Sequence, residues 1–92
     1  MSKWLRSGLR RDICIVVASE DEPTAQHCKA TLEAKYDARI EPKTFYSALE
    51  ALTGQGYLTS HVDGVADRYE LTAAGEQALR DHCEWMGQAL SD

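Results

Sequence analysis

Glu41 to Leu79, EPKTFYSALEALTGQGYLTSHVDGVADRYELTAAGEQAL, is the stretch whose reading decides the fold. Pro42 suits the first position of a helix, where its missing N–H costs nothing. Phe45, Ala48, Leu49 and Leu52 then recur at helical spacing, which predicts a short helix over Pro42–Leu52. Gly54 and Gly56 end it. Tyr57–His61 and Asp67–Leu71 alternate and are rich in β-formers. Asp63-Gly64 between them is a hairpin signal, because glycine tolerates the positive φ of a tight turn. Thr72 is placed to cap a last helix, about Ala73–Leu90.

Upstream, Leu5, Leu9, Ile13 and Val16 fall on one helical face, predicting a helix of about Ser2–Ala18 with Lys3, Arg6, Arg10 and Arg11 on its polar side. Gly8 is read as a loosening that turns the first seven residues into an arm. Glu20-Asp21-Glu22-Pro23 breaks the pattern, since proline disfavours helix at the residue before it. Thr24 is the expected N-cap of a second helix, about Ala25–Lys35, with Cys28 and Leu32 inward. Asp37–Ile40 forms the turn into the third. There are no internal repeats, low-complexity segments or linkers. Three helices, a hairpin and a fourth helix make a mainly α chain with a small β-hairpin, the layout of a winged helix-turn-helix. Residues 1–71 are expected to form that unit and 72–92 a C-terminal dimerisation helix.

The bulk properties constrain the reading. With 92 residues one domain is expected, small enough to be completed by a partner subunit. No apolar run approaches the ~20 residues of a membrane span, and the N-terminus lacks a signal peptide's apolar core. A cytoplasmic protein without a membrane partner is therefore expected. Three cysteines without paired spacing do not make a disulfide framework and fit a reducing compartment. The net charge of -5 is the awkward quantity for a nucleic-acid binder. Either the cations gather on one face, since local field steers binding, or the cell is salty. Acidic residues outnumber lysine nearly fourfold, a balance that resembles proteins of salt-loving archaea.

On a helical wheel Lys43, Ser47 and Glu50 point away from the apolar face of the third helix, with Thr44 and Tyr46 on the flanks. A cation, two hydroxyls and a phenol near a helix N-terminus can donate to phosphates or base edges. Thr44-Phe45-Tyr46-Ser47-Ala48-Leu49-Glu50-Ala51-Leu52, followed by Gly56-Tyr57-Leu58 and Arg68-Tyr69-Glu70-Leu71-Thr72-Ala73-Ala74-Gly75, resembles the PadR family of winged-helix transcriptional regulators. That family carries T-L-Y-x-A-L-x-x-L, then G-L/Y-L/I and Y-x-L-T-x-x-G; Phe45 stands here where Leu is usual. The resemblance spans about Leu9–Leu79. It implies a dimeric regulator, usually a repressor, with Thr44 and Tyr46 as DNA-contacting positions. The wing, His61–Asp67, departs from the pattern: it holds two aspartates and lacks a basic tip, leaving only Arg68. The single C-terminal helix resembles the short members of the family, including haloarchaeal ones.

Arg10, Arg11, Arg39, Lys43 and Arg68 are candidates for one basic face on double-stranded DNA, against the alternative of scattered surface charge. Leu79, Cys83, Met86 and Leu90 repeat at 4, 3, 4 spacing, the seam of two packed helices. Trp85 lies beside it, and Trp4 and Leu5 are candidates to join it. The seam is read as a homodimer interface, against packing within one chain. Cys83 on a two-fold axis could meet its symmetry mate in a disulfide. His27-Cys28 and His82-Cys83 invite a metal reading, but adjacent helical residues face different ways and no ligand spacing accompanies them. No metal or cofactor is expected. Nor is an enzyme: there is no phosphate-binding glycine loop, and no catalytic triad or carboxylate pair can be placed. Two rivals stand beside a DNA-binding regulator. One is a winged helix used for protein–protein contact. The other is a redox- or ligand-responsive sensor with a cavity near Trp4, Trp85 and Cys83. The effector, if any, is unknown.

Overall fold

Each of the first three helices carries one apolar stripe, and the three stripes meet. The computed structural model describes the backbone of residues 2–91 and the side chains of residues 8–85 and 87–90. Helix α1 spans Ser2–Ser19, α2 Ala25–Tyr36 and α3 Pro42–Gly54; strands β1 (Leu58–Asp63) and β2 (Ala66–Leu71) follow, then α4 (Ala73–Ser91). Leu9, Ile13, Val16 and Val17 of α1 pack with Cys28 and Leu32 of α2 and with Phe45, Ala48, Leu49 and Leu52 of α3. Leu58 closes this core from β1 and Ile40 from the α2–α3 turn. Phe45 and Ile13 are wholly buried, and each such side chain stabilises the fold by about 1.5–3 kcal/mol. Helix α1 passes through Gly8 unbroken, so the expected loosening there is absent.

Polar groups fix the joints. The Thr24 hydroxyl accepts from the His27 N–H at 3.1 Å and caps α2, as predicted. The Tyr36 hydroxyl donates to the Asp12 carboxylate, tying the end of α2 to α1. Burial, then that carboxylate, raises the Tyr36 pKa. Cys14 and Cys28 are buried thiols. Burial, with smaller help from Cys14 and Glu20, pushes Cys28 up to about 12.

The hairpin pairs Leu58 with Leu71 through to Asp63 with Ala66. Its loop is Gly64-Val65, one residue later than the Asp63-Gly64 signal, so both strands run closer to the tip than expected. Gly64 has φ +69° and Val65 does not share that sign, the pattern of a type II′ turn with glycine at its first central position. On the other side of β2, Tyr69 N–H donates to Pro23 O at 3.0 Å and Thr24 bridges Arg68. The α1–α2 loop thus adds a short third rung to the wing.

The two C-terminal sequence signals, Gly56-Tyr57-Leu58 and Leu71-Thr72-x-x-Gly75, meet in space. Thr72 Oγ1 accepts from the Gly75 N–H at 3.0 Å and donates to Gly56 O at 2.6 Å, while the Thr72 N–H donates to Tyr57 O at 3.1 Å. This joint sets the direction in which α4 leaves. The helix is about 28 Å long. Past Leu79 its described side chains are exposed except His82, which is half-buried. The radius of gyration, 13.3 Å, exceeds the about 12 Å of a compact chain this size.

Candidate nucleic-acid interface

The exposed face of α3 is built by its buried one. With Phe45, Ala48, Leu49 and Leu52 in the core, Lys43, Tyr46, Ser47 and Glu50 are left in solvent and Thr44 half-covered. Tyr46 is 45% exposed, and its ring stands edge-on to Phe45 at 5.4 Å, a contact that restrains it. Glu41 is the N-cap but its side chain makes no capping bond. The first-turn amides, which lack partners inside any helix, therefore remain open to an outside acceptor.

The α2–α3 turn holds this helix at its angle. Asp37 takes a left-handed φ of +53° and returns its N–H to Glu33 O. The Glu33 carboxylate accepts from Lys29 Nζ and from the Ile40 N–H, both at 2.8 Å. The Lys29 bond first, then the Ile40 N–H, lowers the Glu33 pKa. Arg39, in the same turn, is exposed. Neither Arg39 nor Lys43 makes an ion pair among the described residues, so both cations are available at the N-terminal end of α3.

Arg68 is half-buried and already engaged. Its Nε donates to Asp63 Oδ2 at 2.9 Å and its Nη1 to Glu22 O at 3.0 Å. On the opposite face of the hairpin from Arg68 lies Tyr69, which neighbours Tyr46; its pKa is raised by burial first, then by Asp67 and Tyr46. Arg10 and Arg11 lie elsewhere. They line a cleft with Leu52, Gln55 and Tyr57, at the C-terminal end of α3, and with Leu79 and His82 of α4. Arg11 pairs with Asp12 at 3.3 Å and approaches His82 Nε2 at 3.4 Å. Lys43 and Gln55 are about 18 Å apart along the helix axis, so the five cations do not form one cluster. Lys43 and Arg39 mark one end of α3, Arg10 and Arg11 the other, and Arg68 the wing.

On α4, Leu79 packs partly on the core. Leu79 and Cys83 line an open groove with Val17, Ala18 and Leu71. Trp85 and Leu90 are exposed at 66% and 82%, and the Trp85 ring lies 5.9 Å from that of His82. Trp4, Leu5 and Met86, also expected on this seam, have side chains outside the described residues. The His-Cys pairs diverge as helical geometry requires: His27 is exposed, 3.4 Å from Glu20, while Cys28 is buried.

Three features escaped the sequence reading. Nothing in the sequence sets Glu33 apart except Lys29 four residues earlier. The neutralisation of Arg68 by Asp63 depends on hairpin register. Tyr69 beside Tyr46 could have been found from alternation, which puts Tyr69 on the face of Leu58 and Leu71.

No protein-family model matches the chain, and no curated protein sequence does. Solved structures match it well. H. salinarum RosR superposes with a TM-score of 0.78 at 25% identity, over 85% of this chain and 71% of that one. A transcriptional regulator from Clostridium thermocellum gives 0.83 at 21% identity, over 99% and 91%. A PadR-like transcription factor from Bacteroides fragilis gives 0.79 at 18% identity, over 98% and 91%. The chain has the fold of PadR-like winged-helix regulators, and the Clostridium thermocellum and Bacteroides fragilis proteins are described as a transcriptional regulator and a transcription factor. Among the described residues, no helix is long and apolar enough to cross a membrane.

Proposed function

We propose that the protein is a sequence-specific DNA-binding transcriptional regulator, acting as a homodimeric repressor. Helix α3 enters the major groove and the wing lies on the backbone. One observation carries this reading: α3 is anchored by a wholly buried Phe45 yet leaves Lys43, Tyr46 and Ser47 uncovered beside an uncapped helix N-terminus. Lys43 and Arg39 supply positive charge at that end, and Thr44 and Tyr46 are the positions the family resemblance picks out. Glu50 faces out two turns later and repels phosphate, which confines contacts to the first turns. Arg10 and Arg11 reach DNA only if the duplex runs the full length of α3. The acidic composition fits a cell of high internal salt.

The exposed side of α4, with Trp85, Leu90 and the groove beside Cys83, supports pairing of two copies. A two-fold dimer would place two α3 helices about 34 Å apart, on successive faces of a palindrome. Fluorescence anisotropy on the protein's own promoter DNA, titrated with KCl, tests the reading. Replacing Lys43 and Tyr46 together with Ala should weaken binding about tenfold or more and reduce the salt slope by about one, with an unchanged melting curve. Unaltered affinity would remove α3 as the reader.

The wing favours a second reading. Val62 and Val65 are 71% and 107% exposed beside Asp63 and Asp67, an apolar and acidic tip better suited to a protein than to phosphate. Absence of a DNA shift at every salt concentration would support a protein–protein module instead.

A further inference from the structure

The outer face of the wing gathers three metal-ligating side chains from three adjacent segments. Alternation along the paired strands puts His61 of β1 and Glu70 of β2 on one face, as diagonal neighbours: His61 is opposite Arg68, and Glu70 is opposite Thr59. This is the reverse side of the hairpin from Leu58 and Tyr69. Glu22, from the α1–α2 loop, reaches over the same face, its Oε1 2.7 Å from His61 Nε2. One donor atom from each of Glu22, His61 and Glu70 lies within 4.8 Å of the other two.

The three are held from behind by backbone. Pro23 and Thr24 are bonded to β2, and Arg68 Nη1 holds Glu22 O at 3.0 Å. The loop cannot carry Glu22 away without breaking those bonds. The guanidinium of Arg68 would oppose a second cation, but Asp63 offsets its charge at 2.9 Å. All three ligands are half-covered or exposed, so water can complete a coordination shell.

We infer that Glu22, His61 and Glu70 form a binding site for a first-row divalent metal of the zinc type, clamping the wing to the α1–α2 loop. An imidazole with two carboxylates is a borderline donor set. It suits Zn²⁺ or Co²⁺, whereas Mg²⁺ prefers oxygen alone and keeps its waters. Three protein ligands with an open position is a recurrent zinc arrangement. Donors about 2.0–2.2 Å from zinc stand about 3.5 Å from each other, so the side chains close on the ion by rotation. On binding, Zn²⁺ takes the place of the hydrogen between Glu22 Oε1 and His61 Nε2, and the neutral imidazole carries its one N–H on Nδ1. The ligands lie 39 and 9 residues apart in the chain, which is why no sequence motif marks them.

The test is isothermal titration of the full chain with ZnCl₂, in the wild type and in a Cys83→Ser background that removes the exposed thiol. Co²⁺ absorption in the visible reports nitrogen and carboxylate ligation. One equivalent per chain and a rise in melting temperature are expected. His61→Ala and Glu70→Gln, both at exposed positions, should each weaken binding at least about tenfold, while Glu50→Gln should leave it unchanged. Excess Mg²⁺ should not displace Zn²⁺. Three results would overturn the inference: no saturable uptake at millimolar Zn²⁺, undiminished uptake in His61→Ala and Glu70→Gln, or equal competition by Mg²⁺.

Discussion

Gly75 shows how one missing methyl can position a helix. A Cβ there would stand 2.1 Å from Tyr57 O and 3.0 Å from the Leu71 side chain. Helix propensity alone favours Gly→Ala by about 0.8–1.0 kcal/mol. The clash opposes it, because Tyr57 O is backbone and already accepts from the Thr72 N–H. Overpacking of this kind costs about 1–3 kcal/mol, so the clash wins. Gly75→Ala should lower the melting temperature by several degrees, at roughly 4–8 °C per kcal/mol for a chain this size. Gly54→Ala, with open space around its Cβ, should not lower it. A Gly75→Ala variant as stable as the wild type would mean that α4 does not dock as described. The T-x-x-G spacing was readable as a cap from sequence. The need for glycine was not, because the obstructing atom lies 18 residues earlier in the chain.

Among the elements, a carboxylate pins the turn of the helix-turn-helix. Glu33 bonds the Ile40 N–H at the entrance to α3, and its pKa is lowered, chiefly by the Lys29 bond. A carboxyl whose folded pKa lies below its unfolded one stabilises fully above the unfolded value, about 4.3 for Glu. The contribution disappears as pH falls through the folded value. Thermal melts of wild type and Glu33→Gln should therefore differ at neutral pH, with the wild type higher, and converge in acid below that range. A gap that persists in acid would assign the effect to packing rather than charge. Periodicity made the helices and strands legible, and glycine chemistry located the hairpin to within one residue. It could not say which end of α3 an arginine of α1 lies beside. Sequence alone therefore groups Arg10 and Arg11 with Lys43, whereas the structure puts them at opposite ends of α3. Wheel geometry predicts which side of one helix is wet, but the partner of each wet residue is set by packing between elements.

At the scale of the molecule, α4 is the part its own chain does not finish. Trp85 and Leu90 stand in solvent along a helix whose first turns are firmly docked. If two copies bury them against each other, Leu90→Glu should weaken dimerisation at least about tenfold, or about 1.4 kcal/mol, by sedimentation equilibrium. The melting curve of the monomer should stay intact, since Leu90 is 82% exposed. A wild type that sediments as a monomer, or a variant that dimerises as well, would return α4 to a purely intramolecular role. The heptad-like spacing of Leu79, Cys83 and Leu90 is visible in sequence; that Leu79 itself packs partly on the core, leaving only the positions beyond it free, is not.

The unequal placement of the three thiols hands the experimenter a tool. Cys14 and Cys28 are sealed in the core, with Cys28 held far from ionisation, while Cys83 is open to solvent. Nucleophilic attack on a maleimide requires the thiolate, so a spin label or fluorophore attaches to the native chain at one known address. If two copies pair through the groove beside Cys83, the pair shields that thiol, and the rate at which the label goes on becomes a gauge of the assembly without any engineered cysteine.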